Sequence, residues 1–495
     1  MRIAFITPEF LSLVRRTNLA GVAESLSQAL AQAGNEVRVF LPWTRDVDTD
    51  PLGELDERAE IKVRDGQDTE TFRIVDGRLG ELAVSLVENE RFFGSRHPYG
   101  DNEGPYPDNW RRYALFARAV LESFEPLDFH PEVMHCMDWT TGLIPVFHKL
   151  EYVNKNRDHP ASEAGTYFAI HNLAIQGAFE REILPKIGIP HRHFHAIGGI
   201  ELGGKVNFLK AGAEYATIIG THSPSHAEKI QQRDRGYGLE DTFLRRRKEL
   251  VGITNGIDYQ AWNPETDPML PARFGAKDRE LAGKRKCKSA LQAALKLDHG
   301  PRTPLACTIG RWDADSGFDL VAEVLNQILE RNVELVVMGS GNKHIGDRLL
   351  TMESAFMGRM RLVEGYNAHT AHLMMGGADM MLLPSHYQPS SPLFAIAMRY
   401  GVVPVVYAKS GLEDTVVNLV EDKRRGTGIH FEPYSSEGLM EGVNAAIKAY
   451  REATKWKSVV RRCLSQDFSW ETAAAQYLKA YRRVTRRVKA RQTSA

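Results

Sequence analysis

At 495 residues with 43% hydrophobic content, the chain is long enough to bury more than one core, and its length suggests two to four domains. Sixty-three lysines and arginines balance sixty-three aspartates and glutamates, so no global field favours nucleic acid or an acidic membrane surface, and a ligand must be recognised locally. The four cysteines, at 136, 287, 307 and 463, form no CxxC pair and stand at no histidine spacing suited to zinc, which sets aside a disulfide scaffold and a structural metal. The opening residues run straight into an apolar strand, and nowhere do about 18 uninterrupted apolar residues occur. The expectation is a reduced, cytoplasmic protein.

In chain order, RIAFIT (2–7) is strand-like. Leu19, Val22, Ala23, Leu26, Ala29, Leu30 and Ala33 then recur at helical spacing, Gly34 stops the helix, and EVRVFLP (36–42) is a second strand. The same βαβ layout returns later, with PLACTIGR (304–311) a strand, 318–329 a helix and VELVVMGSG (333–341) the next strand. Around each unit the alternation continues: EVMHCMDW, TYFAIHN, YATIIGTHS and LVGITNG in the first half, RLVEGY, ADMMLLPS and VVPVVYA in the second. Short apolar runs alternating with helices predict parallel sheets covered on both faces, hence an α/β chain with two Rossmann-like lobes. The join lies near NGIDYQAWNPETDP (255–268), where prolines and turn residues end a strand.

Ligands of open parallel sheets bind beyond the carboxyl ends of the strands. That rule selects Glu9 and Arg15 after the first strand, Asp138 after EVMHCM, His171 and Asn172 after TYFAI, and Asn255 after LVGIT. In the second lobe it selects Arg311, the glycines Gly339 and Gly341, and Gln388 to Ser391. Taken singly, His171 is an ordinary hydrogen-bonded histidine, Asp138 a helix cap, Asn255 a turn residue, Lys210 a snorkelling helix lysine, and Gly339 and Gly341 a tight turn. The basic run from Lys479 to Arg487 reads as a solvated helix face, because no other basic motif supports nucleic-acid binding.

Longer segments carry more. HNLAIQGAF (171–179), FLKAGAEYATIIGTHSPSHAEKI (208–230), ITNGIDYQAWNPETD (253–267), MGGADMMLLPS (375–385) and DFSWETAA (467–474) resemble, in order and over nearly the whole chain, the bacterial glycogen synthase and plant starch synthase family. The resemblance implies a GT-B fold with lobes at 1–258 and 259–455 facing an interdomain cleft, and a carboxyl-terminal helix, 456–495, crossing back to the first lobe. It also implies transfer of glucose from ADP-glucose to the non-reducing end of an α-1,4-glucan with retention, without a metal or other cofactor. Glucan and nucleotide sugar are the implied partners; nucleic acid and membrane are not.

Carried over position by position, the resemblance makes His171, Arg311, Asp138 and Gln388 the catalytic candidates. Arg15, Asn18, Asn255, Ser316, Ser390, Ser391 and Lys210 become the substrate-binding candidates. Several of these depart from the family pattern. Its signature Lys-Thr-Gly-Gly-Leu reads Arg15, Arg16, Thr17, Asn18, Leu19, and an acidic residue two positions on is Gly21. Its phosphate-binding lysine is Ser316 within GRWDADSGFD, and its Glu-Pro-Cys-Gly-Leu-Thr reads QPSSPLF, with an amide at Gln388 for the carboxylate. His-x-His-Asp-Trp-His keeps only His135 of its three histidines. Three readings follow: a synthase, a catalytically impaired relative that binds glucan or pairs with an active synthase, and a related enzyme using another nucleotide sugar.

Overall fold

The computed structural model describes all residues except 67, 299, 301, 387–391, 413, 494 and 495. The chain divides into two compact units, Met1–Asn255 with Trp470–Ala495, and Gly256–Ser469. The returning segment is shorter than the expected 456–495, because the helix Ala453–Leu464 buries Trp456, Val459, Val460 and Cys463 in the core of the second unit.

The first unit is built on a nine-stranded sheet. Its strands are β1 (Arg2–Ile6), β2 (Glu36–Pro42), β3 (Asp56–Asp65), β4 (Asp68–Leu79), β5 (Leu82–Glu88), β6 (Val133–Met137), β7 (Gly165–Ile170), β8 (Ile218–Thr221) and β9 (Leu250–Gly252), in the spatial order β9-β8-β7-β6-β1-β2-β5-β4-β3. β1 pairs in parallel with both β2 and β6. Alternate residues of β1 feed two cores, as the period-two pleat requires. Ile3 and Phe5 pack with Leu26 and Leu30 of the helix Leu19–Gln32 and with Tyr477, Tyr481 and Val484 of the helix Trp470–Thr493, whereas Ala4 and Ile6 pack with Phe116 and Val120 of the helix Asn109–Ser123.

The sheet is not wholly parallel, which corrects the expectation at one edge: β4 pairs antiparallel with β5, and β3 antiparallel with β4. Their pattern alternates buried Ile61, Val63, Phe72 and Ile74 with exposed Glu60, Lys62 and Arg73, so one face stays wet and the run of charges hides the strands from a search for apolar runs.

The second unit carries a six-stranded parallel sheet: β10 (Leu305–Trp312), β11 (Glu334–Gly341), β12 (Met360–Glu364), β13 (Met380–Leu383), β14 (Val403–Tyr407) and β15 (Ile429–Phe431), ordered β12-β11-β10-β13-β14-β15. All four cysteines are free and buried. No helix is long and apolar enough to cross a membrane among the described residues.

The core of this unit also holds charge. Lys288 Nζ lies 2.6 Å from Asp379 Oδ2 and donates to Tyr450 Oη at 3.0 Å, and the same carboxylate accepts the Leu305 amide at 2.9 Å where β10 begins. Removing one partner of such a pair leaves an uncompensated buried ion. Asp379→Ala is expected to lower the urea-unfolding free energy of the second unit by about 3–5 kcal/mol, and the double replacement Asp379→Leu with Lys288→Met to recover most of that loss.

Candidate functional site

The carboxyl ends of β1, β6, β7 and β8 bring one group of polar side chains together in the first unit. After β1 the chain reaches Glu9, which is fully buried. Glu9 Oε2 accepts the amides of Arg16 at 2.7 Å and Thr17 at 2.6 Å, while Oε1 accepts the Thr17 hydroxyl at 2.9 Å and the Tyr99 hydroxyl at 2.5 Å. The turn ahead of the helix Leu19–Gln32 is therefore folded around an internal carboxylate. Arg15 and Asn18 stand exposed on it, and Asn18 makes no side-chain cap. Arg16 is turned aside to Asp46, which His97 also contacts at 2.7 Å.

Asp138 follows β6 with φ +55, a left-handed conformation that few residues other than glycine or asparagine adopt. It does not cap the short helix after it. Its Oδ1 instead accepts the amide of His171 at 2.7 Å and that of Asn172 at 3.4 Å, pinning the turn that ends β7. Burial pushes the Asp138 carboxyl up to about 7, against the opposing pull of those two amides and with some help from the Glu9 charge.

His171 Nε2 is buried and has no hydrogen-bond partner among the described residues. Desolvation pushes its pKa down to about 4, so the ring is neutral at pH 7. His222 and His226 stand close by, their rings 3.9 Å apart, and both are held below the usual histidine range by burial. No group of three or more metal-ligating side chains is arranged to hold an ion among the described residues. His135 is a different case: fully buried, stacked on Phe5 at 4.4 Å and 2.6 Å from the Tyr481 hydroxyl through Nδ1, it ties the last helix to the sheet.

Two further candidates are engaged by the scaffold. Lys210 is buried, and its ammonium donates to the main-chain carbonyls of Ala196, at 2.5 Å, and Glu201, fixing the loop that precedes its helix. Asn255 Oδ1 accepts the Tyr477 hydroxyl at 3.2 Å. Tyr99 is a neighbour that the strand-end rule did not select. It lies in the irregular segment RHPYGD, and only the tertiary fold brings its hydroxyl onto Glu9.

In the second unit Arg311 lies near the end of β10 with its side chain 80% exposed, Nε 3.2 Å from Asp313 Oδ2. Asp313 Oδ1 also accepts the Ser316 amide at 2.9 Å. Asp315 is exposed, and Asp319, in the first turn of the helix Phe318–Glu330, leaves a buried Oδ1 without a partner among the described residues. Gly339 and Gly341 are not a simple turn, as expected from the sequence, but the last residues of β11 in register with Gly310 and Trp312. A Cβ at Gly339 would fall 1.8 Å from the Gly310 carbonyl oxygen, so the glycine permits the close strand contact. Gln388, Ser390 and Ser391 lie outside the described residues.

Against known proteins, residues 2–245 match the starch synthase catalytic domain model and 294–462 the glycosyl transferases group 1 model. The chain is 36% identical over 482 residues to glycogen synthase 2 of Geobacter sulfurreducens, covering 97% of this chain and 98% of that protein. The chain belongs to the glycogen synthase family. It is also 36% identical to a glycogen synthase of Anaeromyxobacter sp. strain Fw109-5, over 97% of this chain and 99% of that one. Among solved structures, the catalytic domain of starch synthase IV from Arabidopsis thaliana, bound to ADP and acarbose, superposes with a TM-score of 0.82 at 28% identity over 98% of this chain and 99% of that one. The synthase family membership makes the protein a GT-B glycosyltransferase with two α/β lobes.

The raised Asp138 carboxyl gives a pH signature. Between about 3.8, the unfolded value, and about 7, the folded state holds a proton that the unfolded chain has lost, so stability falls as pH rises through that window. Asp138→Asn keeps an Oδ1 acceptor for both amides and cannot ionise. It is expected to be more stable than the natural protein at pH 8, by roughly 1–3 kcal/mol, with the gap closing by pH 4 in thermal melts.

Proposed function

We propose that this synthase-family protein transfers glucose from ADP-glucose to the 4-hydroxyl at the non-reducing end of an α-1,4-glucan, with retention and without a metal, in the cytoplasm. The observation that carries the reading is the unpartnered, neutral His171 at the end of β7, held in place by Asp138. A neutral imidazole with an open nitrogen suits a sugar hydroxyl, and its HNLAIQG context is that of the family. The solved starch synthase bound to ADP and acarbose supports a nucleotide and a glucan-like ligand for this fold.

In this reading the departing diphosphate needs positive charge, and in the second unit Arg311 supplies it with the amino terminus of the helix Phe318–Glu330. Ser316 stands where the family has a second cation, and Gln388 offers hydrogen bonds but no charge. Loss of a single preorganised charge-stabilising donor costs about 10²–10³ in rate, so slow turnover is the expectation.

A second reading, a glucan-binding or regulatory protein with impaired catalysis, draws support from two observations. The amides of Arg16 and Thr17 are already taken by Glu9, and Asp313, which accepts the Ser316 amide, Asp315 and Asp319 add negative charge along the chain on either side of Ser316.

Labelled glucose transfer to glycogen by the purified protein separates the two, with UDP-glucose in parallel. The synthase reading expects slow transfer from ADP-glucose, a further drop of about 10²-fold in Arg311→Ala and a gain of about 10-fold or more in Ser316→Lys. Absence of transfer from either donor by folded protein that still binds glycogen would replace it with the second reading.

A further inference from the structure

The second unit contains a cavity that the transferase reading does not use. It has a volume of about 460 Å³ and is lined by residues that immediately precede strands: Pro304 before β10, Asp379 before β13, and Arg331 and Asn332 ahead of β11. It therefore opens at the amino-terminal edge of the sheet. Arg311 lies seven residues further along β10, roughly 20 Å away at the rise of an extended strand. The cavity is distinct from the candidate donor-binding edge.

Its lining is strongly cationic. Lys288 is neutralised by Asp379 at 2.6 Å, and Lys457 by Glu280 at 2.7 Å, which uses both acidic residues of the lining. The remaining cations, Lys284, Arg285, Arg302, Arg331 and Arg451, have no carboxylate within ion-pairing distance among the described residues. Lys284 is buried, and among the described residues its ammonium donates to main-chain carbonyls, those of Tyr400 at 2.8 Å, Gly376 at 3.2 Å and Met375 at 3.5 Å. The Asp379 charge also acts on Lys284, whereas the four exposed arginines are left to repel one another, and an anion relieves that repulsion.

The other walls are apolar and aromatic. Leu281 and Val460 are buried beside Trp456, whose ring meets that of Tyr450 edge-on at 5.4 Å. Such a surface takes a flat or ring-shaped body, and the volume lies in the range of small-molecule sites, well beyond what a bare phosphate fills. Guanidinium groups at the exposed side favour phosphate over carboxylate-poor neutral ligands because they can hold its oxygens in pairs.

We propose that this cavity binds a phosphorylated metabolite with a ring body, a sugar phosphate or a nucleoside monophosphate, whose phosphate is taken by the exposed arginines and whose ring lies against the Trp456 wall. Calorimetric titration of the full-length protein with glucose 1-phosphate, AMP and inorganic phosphate tests it. The proteins compared are the natural chain, the double variant Arg331→Glu with Arg451→Glu, and Arg311→Ala. Both reversed arginines are exposed, and an unchanged thermal melt of the double variant establishes that it folds. The expected result is submillimolar binding of at least one ester, weakened about 10²-fold or more by the double reversal and unchanged in Arg311→Ala. Preference for glucose 1-phosphate or for AMP identifies which ester source the cavity serves. The proposal is overturned if neither ester binds, if inorganic phosphate binds as tightly as both, or if binding is lost in Arg311→Ala and kept in the double reversal.

Discussion

Two buried carboxyl groups organise the carboxyl-terminal edge of the sheet in the first unit. Glu9 gathers the amides of Arg16 and Thr17 and the hydroxyls of Thr17 and Tyr99, and Asp138 gathers the amides of His171 and Asn172. Each acceptor stands at the end of one strand and holds a turn at the end of another segment, so the strand ends are tied by charge-assisted bonds rather than by packing alone. The left-handed backbone of Asp138 is tolerated because those bonds over-determine its place, and with the His171 amide fixed by them its ring keeps a nitrogen that no group among the described residues satisfies.

Charge is distributed unevenly across the sheet of the second unit. At its carboxyl-terminal edge Arg311 pairs with Asp313, and Asp315 and Asp319 follow in the same stretch of chain. At its amino-terminal edge the cationic cavity holds a surplus of positive charge. The overall balance of 63 against 63 conceals this, because net charge sums over opposite edges of the same domain. The chemistry available at each edge follows from local charge.

Much of the scaffold was legible in order. Parallel β-strands buried on both faces read as continuous apolar runs, and β2 was delimited residue for residue by EVRVFLP. β3 and β4 were not, since a half-exposed antiparallel pair spreads its apolar residues two apart among charges. The candidate site was legible only where a residue sits at or directly after the end of a strand, as Arg311 and then Asp138 and His171 do. Tyr99 was not, because its link to Glu9 spans 90 residues of chain.

The sequence by itself determined the fold class and the family, since those depend on the identity and order of residues along the chain. The tertiary structure decided how side chains are spent. It assigned Lys210 to main-chain carbonyls and His135 to the last helix, and set Asp138 to fixing a neighbouring turn rather than capping its own. The reason is physical: a lysine, histidine or aspartate carries the same donors and acceptors wherever it stands, and only the groups that folding brings within about 3 Å settle which of them remain open to a ligand.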